Sequence, residues 1–412
     1  VKPLVLLIVD NGFWAIGEIG RQIVRRFRHK YDFLFLPERI LSRRPDMLNQ
    51  VLWRADLAFC LNESGAAMLR DSAAVALPPL VTWIHHVTSW NDEHRAAARM
   101  SQFLVACTPS WRDRIAGYAP GSQVASIRHG VDLDMFAPRA VSRQAFGIAP
   151  GAFVAGFFGA RGSDQDAGRK GMDVLLAVFR RVAAAAPNLH AVFVGPGWEP
   201  FASELRATGA RASIFGFVPR SRLPDIYSLL DVYLVTARVE GGPMTVLESL
   251  ACATPVVATR VGLVPDVVID GVNGFTAEIG DVETLSAALL KIAAGVELRK
   301  AIRSGSRPSV EKYSWNDTLA PLESILDGLI RLPSRRKEQP VLAWIEDVDR
   351  TYTVCLAADC LLNTLAGMRK RRAPLWRSFR VLRHMLEGVP LKDCRRALSL
   401  LRGHWPPPTP VS

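Results

Sequence analysis

Short apolar runs recur along the first 130 residues, each closed by a turn and followed by a stretch with helical spacing. Leu4–Val9, Phe33–Leu36, Asp56–Leu61, Leu80–Ile84, Phe103–Ala106 and Val124–Ile127 read as strands. Gly12, Gly17 and Gly20 follow the first run, and Arg21–Arg28 then takes up a helical period. Strand, turn and helix in alternation predict a parallel sheet covered by helices on both faces. Phe136–Gly151 breaks the pattern with Pro138, Gly147, Pro150 and Gly151, and reads as a linker. The alternation then restarts. Ala152–Phe158, His190–Val194, Ala212–Phe215, Val232–Val235 and Pro255–Ala258 are strand-like, while Met172–Ala185, Thr245–Ala251 and Val282–Ala294 are helical.

The expected fold is therefore α/β: two Rossmann-like, doubly wound parallel-sheet domains facing across a cleft, residues 1–140 and 141–314. In sheets of this kind ligands sit beyond the carboxyl ends of the strands. Two units in tandem would bind theirs in the cleft.

Composition adjusts this picture in three ways. A chain of 412 residues that is 49% hydrophobic can bury two cores and is not disordered. The net charge of +12 favours anionic partners. After Ile330 there are 16 basic against 7 acidic residues, so most of the excess sits in a tail and the body is close to neutral. No nucleic-acid partner is expected for that body. The six cysteines form no C-x-x-C pair, which fits a reducing cytosol rather than a disulfide framework or zinc site. Val1–Asp10 reads as a strand rather than a signal peptide, and no run of about 18 apolar residues predicts a spanning helix.

The chemistry concentrates in Thr236–Thr259. A strand ends near Thr236, Glu240, Gly241 and Gly242 turn the chain, and Pro243 suits the first helical position because its missing N–H would be unpaired there. The free amides and positive dipole end of the following helix make an anion site. The glycine pair allows close backbone approach to a diphosphate and positive φ. Met244 and Glu248, four apart, share a helix face, with Leu247, Leu250 and Ala251 on the core face. Glu248 would then look along the ligand side toward ribose hydroxyls, with Glu240 nearer the reacting centre. The competing reading is a pair of solvated surface glutamates, which the strand–turn–helix context disfavours.

These residues carry a resemblance to the family-4 (group 1) GT-B glycosyltransferases. Glu240 and Glu248 match the E-x7-E signature. Ala253-Thr-Pro-Val-Val-Ala258 is similar to the G-T-P-V-V-A block, with Ala253 for the usual Gly, and Gly271-Val-Asn-Gly-Phe275 to the turn after the donor pocket. Arg169-Lys170-Gly171-Met172-Asp173 resembles the K-G-x-D element, and Tyr313-Ser-Trp315 the start of a crossover helix over 315–332. Arg128-His-Gly-Val-Asp132-Leu-Asp134-Met-Phe136 resembles the N-G-V-D-x-x-x-F link, with Arg128-His129 in place of Pro-Asn.

The resemblance implies a retaining, metal-independent transferase using a nucleotide sugar, with residues 1–140 on the acceptor side and 141–314 holding the donor. It implies Lys170 on the diphosphate with a second cation, Arg161 or alternatively Arg169. It implies a histidine at the end of Leu80–Ile84, His85 or else His86, and a glycine loop near Gly17. Gly241, Gly242, Pro243, Met244, Thr245 and Glu248 would bind substrate, and Glu240 would act on the sugar. Asp132-x-Asp134 invites a metal reading, which is rejected because a helix end and a lysine already supply the positive charge. No cofactor is expected beyond the donor itself. The partners are a nucleotide-sugar donor and a glycan or lipid-linked acceptor in cell-surface polysaccharide or glycolipid biosynthesis. A GT-B-like epimerase or phosphorylase, or a silent sugar-nucleotide-binding subunit, is the alternative. The basic, helical extension 333–412 with Arg369-Lys-Arg-Arg372 would either lie on an anionic membrane at its inner face or cap the first domain.

Overall fold

A computed structural model describes residues 2–10, 15–42, 45–207, 209–216 and 218–330, with the backbone alone at Gln165. The extension 333–412 and Gly12 lie outside the described residues. The described chain packs as two compact units, residues 2–127 with 319–330 and residues 128–318.

The first unit is a six-stranded sheet of β1 (Leu4–Val9), β2 (Asp32–Pro37), β3 (Leu57–Cys60), β4 (Leu80–Ile84), β5 (Phe103–Ala106) and β6 (Val124–Ser126). Its order is β2-β1-β3-β4-β5-β6, with every pairing parallel. β1 is buried along its whole length, as an apolar strand between two helix layers must be. The helix Ala15–Phe27 follows it and begins well before the basic stretch that announced it. Gly20 lets that helix press on the sheet: a Cβ there would lie 2.2 Å from the Phe35 ring. The helix Ala320–Ile330 belongs to this unit, burying Leu322, Leu326 and Leu329. Lys30 grips it through Asp327 at 2.5 Å and Glu323 at 3.0 Å, and the Tyr31 hydroxyl also donates to Asp327.

The second unit holds β7 (Phe153–Phe158), β8 (Leu189–Val194), β9 (Arg211–Phe215), β10 (Val232–Val235), β11 (Val256–Thr259) and β12 (Gly274–Ala277). They are again all parallel, ordered β9-β8-β7-β10-β11-β12. Counted within the unit this is 3-2-1-4-5-6, the dinucleotide-fold order. Aromatic side chains fill both faces, with Phe158, Tyr227 and Tyr233 on one and Phe179, Phe193, Trp198 and Phe201 on the other.

The unit boundary falls at 127/128 rather than 140/141, and the return at 318/319 rather than 314/315. The cause is packing. Val131 and Phe136 are buried in the second core, and the Val131 N–H donates to the Tyr313 carbonyl at 2.9 Å. Arg307 holds the Leu133 and Phe136 carbonyls. Gly130 meets the helix Trp315–Thr318, since a Cβ would lie 2.6 Å from Thr318 Oγ1.

Candidate functional site

Strand order reverses between β7 and β10, so the loops leaving their carboxyl ends diverge and open a crevice. After β7 the chain turns at Gly159 (φ 140°), and Gly195 (φ 119°) after β8 comes so close that a Cβ on it would lie 2.4 Å from the Gly159 carbonyl oxygen. Ser163 and Asp166 form a capping box that starts the helix Asp164–Arg169, and Lys170 closes it. Gly171 then takes the left-handed conformation (φ 65°) and starts Met172–Ala185.

This glycine sets the geometry. Its missing side chain would sit 2.0 Å from the Thr236 carbonyl oxygen, so the loop after β10 rests directly on the 169–171 backbone. Two hydrogen bonds lock the pair: Arg238 N–H donates to the Arg169 carbonyl at 2.7 Å and Thr236 Oγ1 to the Lys170 carbonyl at 3.0 Å. Arg169 is thereby aimed at Glu240, with Nη1 2.9 Å from Oε1 and 3.1 Å from the Val239 carbonyl. Lys170 turns the other way and donates to the Ala160 carbonyl at 2.5 Å. Arg238 is committed to Asp173 through two bonds of 2.7 and 2.6 Å.

Electrostatics follow from this crowding. Burial raises the Glu240 carboxyl above its ordinary range, while Arg169 and Lys170 pull it back. Burial lowers the Lys170 ammonium, Arg169 lowers it further, and Glu240 and Asp166 oppose both. A phosphate arriving beside these cations would relieve the repulsion between them.

Beyond Glu240 the loop 240–242 is gripped from two sides. A Cβ on Gly262 (φ 53°) would lie 2.1 Å from the Gly241 carbonyl oxygen, and one on Gly242 would lie 2.7 Å from His129 Nδ1. The need at Gly242 is therefore room; its φ is not positive. Pro243 takes the capping position (φ −62°, ψ 97°) rather than the first helical one, and the helix runs Met244–Ala251. Burial pushes the Tyr233 hydroxyl up, with Thr245 opposing it. Leu247, Leu250 and Ala251 are buried as the core face.

Glu248 is clasped from two sides. It is 2% exposed. Arg220 Nη1 lies 2.7 Å from one carboxylate oxygen and the Tyr227 hydroxyl donates to the other at 3.1 Å. Arg220 arrives on the 3-10 turn Arg220–Arg222 after β9, for which the apolar pattern gives no signal.

Of the other expected residues, Arg161 is 41% exposed with Asp164 at 3.8 Å, whereas Arg169 is the arginine on Glu240. Gly17 lies in the first turn of Ala15–Phe27, in the first unit. His85 follows β4, 9% exposed, with Nε2 2.7 Å from the Leu61 carbonyl, Nδ1 3.4 Å from Cys107 Sγ, and its ring stacked on Trp83. Asp132 accepts from the Met135 N–H at 3.0 Å, as a turn aspartate does. His129 was not singled out from the sequence. Its Nδ1 lies 2.6 Å from the Gly242 carbonyl oxygen.

Residues 164–308, which span Lys170, Glu240 and Glu248, match the family described as glycosyl transferases group 1. The chain is 31% identical over 227 residues to the D-inositol 3-phosphate glycosyltransferase of Saccharomonospora viridis, covering 52% of this chain and 51% of that protein. It is 26% identical over 236 residues to the GDP-mannose-dependent alpha-(1-6)-phosphatidylinositol monomannoside mannosyltransferase of Mycolicibacterium smegmatis, covering 53% and 60%. The chain spans about half the length of the curated relatives it matches. In fold it is similar to Anabaena HepE, solved with UDP and glucose, at TM-score 0.66 and 18% identity over 79% of this chain and 99% of that one. Sucrose-phosphate synthase of Thermosynechococcus elongatus is similar at TM-score 0.66 and 15% identity, over 81% and 100%. With its two parallel six-stranded sheets and these neighbours the chain has the GT-B fold, and its residues 164–308 match the glycosyl transferases group 1 family.

Proposed function

We propose that this protein is a retaining glycosyltransferase that moves a sugar from a nucleoside-diphosphate sugar to a glycan or lipid-linked acceptor, in assembling cell-surface polysaccharide or glycolipid. The observation that carries this is the packing of Arg169, Lys170 and Glu240 at the β7/β10 reversal, four residues before the helix Met244–Ala251 begins. Two cations, a carboxylate and a helix start suit a sugar diphosphate: anion on the cations and amides, hydroxyls on the carboxylate. The GDP-mannose named for the Mycolicibacterium relative and the UDP-glucose bound in a solved HepE structure point the same way.

In the proposed reaction the anomeric carbon–oxygen bond to the diphosphate breaks and the acceptor oxygen bonds to the same face. The acceptor proton passes to the departing phosphate oxygen. Negative charge grows on that oxygen, so Lys170, with Arg169 or Arg161, and the amides around Gly242–Thr245 lower the barrier. No metal is required, because these groups supply the charge a divalent cation would. Glu240 holds sugar hydroxyls. Glu248 keeps lone pairs beyond those used by Arg220 and Tyr227, and these would take the ribose. The basic stretch Arg369–Arg372 would suit an anionic membrane carrying a lipid-linked acceptor.

The test is a thermal-shift screen against UDP, GDP, ADP and their sugars, followed by hydrolysis and transfer assays with the stabilising donor. A rise in Tm with one nucleotide series and turnover of its sugar are expected. No shift with any nucleotide would overturn the reading.

A further inference from the structure

The loop that leads into the helix Met244–Ala251 contains a peptide with an unusual deficit. Between Gly242 and Pro243 there is no N–H, so the Gly242 carbonyl is that peptide's sole polar group. Whatever bonds that carbonyl decides which way the peptide faces. Its partner is His129, 5% exposed, with Nδ1 at 2.6 Å. A carbonyl can only accept, so the imidazole must carry its proton on Nδ1. Burial holds the ring's pKa down to about 4, partly offset by the bond to Gly242, so at neutral pH the ring is uncharged and in that tautomer. The ring is itself fixed. A Cβ on Gly242 would meet Nδ1 at 2.7 Å and Cγ at 3.1 Å, and Trp315 packs at 6.4 Å between ring centroids. The neighbouring Gly130 is wedged against Trp315 and Thr318.

We propose that His129 is a positioning residue for the donor diphosphate: its Nδ1–H draws the Gly242 carbonyl into the protein, away from the arriving anion, and so presents the amides of the following helix start. The inference rests on the donor site proposed above. A carbonyl left unbonded would be free to turn its negative end toward the phosphates, where it would repel them. The effect should therefore fall on the diphosphate and spare the nucleoside.

The geometry supplies its own control. Asparagine places a side-chain nitrogen where histidine has Nδ1, whereas glutamine reaches only to the Nε2 position. Full-length wild type, His129→Leu, His129→Gln and His129→Asn would be titrated by calorimetry with UDP, GDP and ADP and with the corresponding nucleosides. The expected result is a loss of about tenfold or more in diphosphate affinity for the Leu and Gln variants. Nucleoside affinity should stay within about twofold, and the Asn variant should recover the diphosphate to within about threefold. Should the Leu variant fail to fold, Gln against Asn still makes the comparison. Diphosphate affinity unchanged in the Leu or Gln variant would overturn the inference, as would equal loss in all three. Those outcomes leave the donor reading standing, because wild type still binds. Absence of nucleotide binding by wild type would instead overturn the donor reading and this inference with it.

Discussion

Glu240 is tolerated in a partly buried loop because Arg169 and Lys170 lie beside it. The three act as one charge set, so removing members should have unequal effects. Lys170→Ala should lower kcat by roughly 10²–10³-fold while KM moves much less, since in the proposed reaction the ammonium acts on charge that develops on the leaving group. Steady-state kinetics with the stabilising donor would check this; a KM effect alone would place Lys170 in ground-state binding. Glu248 behaves differently. Glu248→Ala would take an ionic partner from the Arg220 guanidinium and a hydrogen-bond partner from the buried Tyr227 hydroxyl, and should cost about 3 kcal/mol in urea denaturation. Glu248→Gln, which keeps the shape and an acceptor, should cost less and is the better probe of donor binding. The E-x7-E spacing singles out both glutamates, yet gives no warning that one is clasped by Arg220 from another segment. A pairing between residues 28 positions apart leaves no local signature.

A second set of carboxylates belongs to the first unit. Burial is the largest cause raising Glu38 and Glu63 from 4.5 to about 7; Asp10 and Glu93 add repulsion, and the Ser64 hydroxyl opposes it at Glu38. His94 lies 3.6 Å from Glu63. A folded-state pKa above the unfolded value means the folded chain holds the protons more tightly, so stability is greatest below about pH 4.5 for these groups and is lost as pH rises through 7. Replacing both by Gln should flatten that slope, gaining on the order of 1–3 kcal/mol at pH 8 relative to wild type and little at pH 5. Urea melts at the two pH values would decide it. A gain of equal size at both would mean the carboxylates do not titrate there.

Among the elements, apolar runs mark eleven of the twelve strands in the described residues to within a residue or two, because a parallel strand buried on both faces has little choice of composition. The strand they missed, β12, is only Gly274–Ala277 and begins with a glycine. That glycine is required, since a Cβ would lie 1.9 Å from the Val256 carbonyl oxygen, but a glycine before three mixed residues reads as a turn. Gly171 carries the site's geometry in the same hidden way. Gly171→Ala would combine a left-handed backbone with a methyl 2.0 Å from the Thr236 carbonyl oxygen. It should cost on the order of 2–3 kcal/mol and loosen Arg169 from Glu240. Calorimetry would read the first and donor affinity the second. A variant with wild-type Tm and affinity would show that this backbone contact does not position the cations. The pairing of His129 leaves no trace in the sequence for a related reason: its partner is a main-chain carbonyl.

At the scale of the whole molecule, the alternation of strands and helices was enough to read two units, because each restarts the same pattern after a punctuated stretch. Their boundary was not legible. Proline and glycine mark Phe136–Gly151, yet Val131 and Phe136 are already in the second core. Among the described residues no helix is long and apolar enough to cross a membrane. The proposed function turns on where a nucleotide sits. A crystal structure with the nucleoside diphosphate that most raises Tm tests this directly. The diphosphate should lie at the carboxyl ends of β7 and β10, within hydrogen-bond reach of Lys170 Nζ and the amides that open Met244–Ala251. A diphosphate bound elsewhere, with Lys170 still on the Ala160 carbonyl, would contradict it.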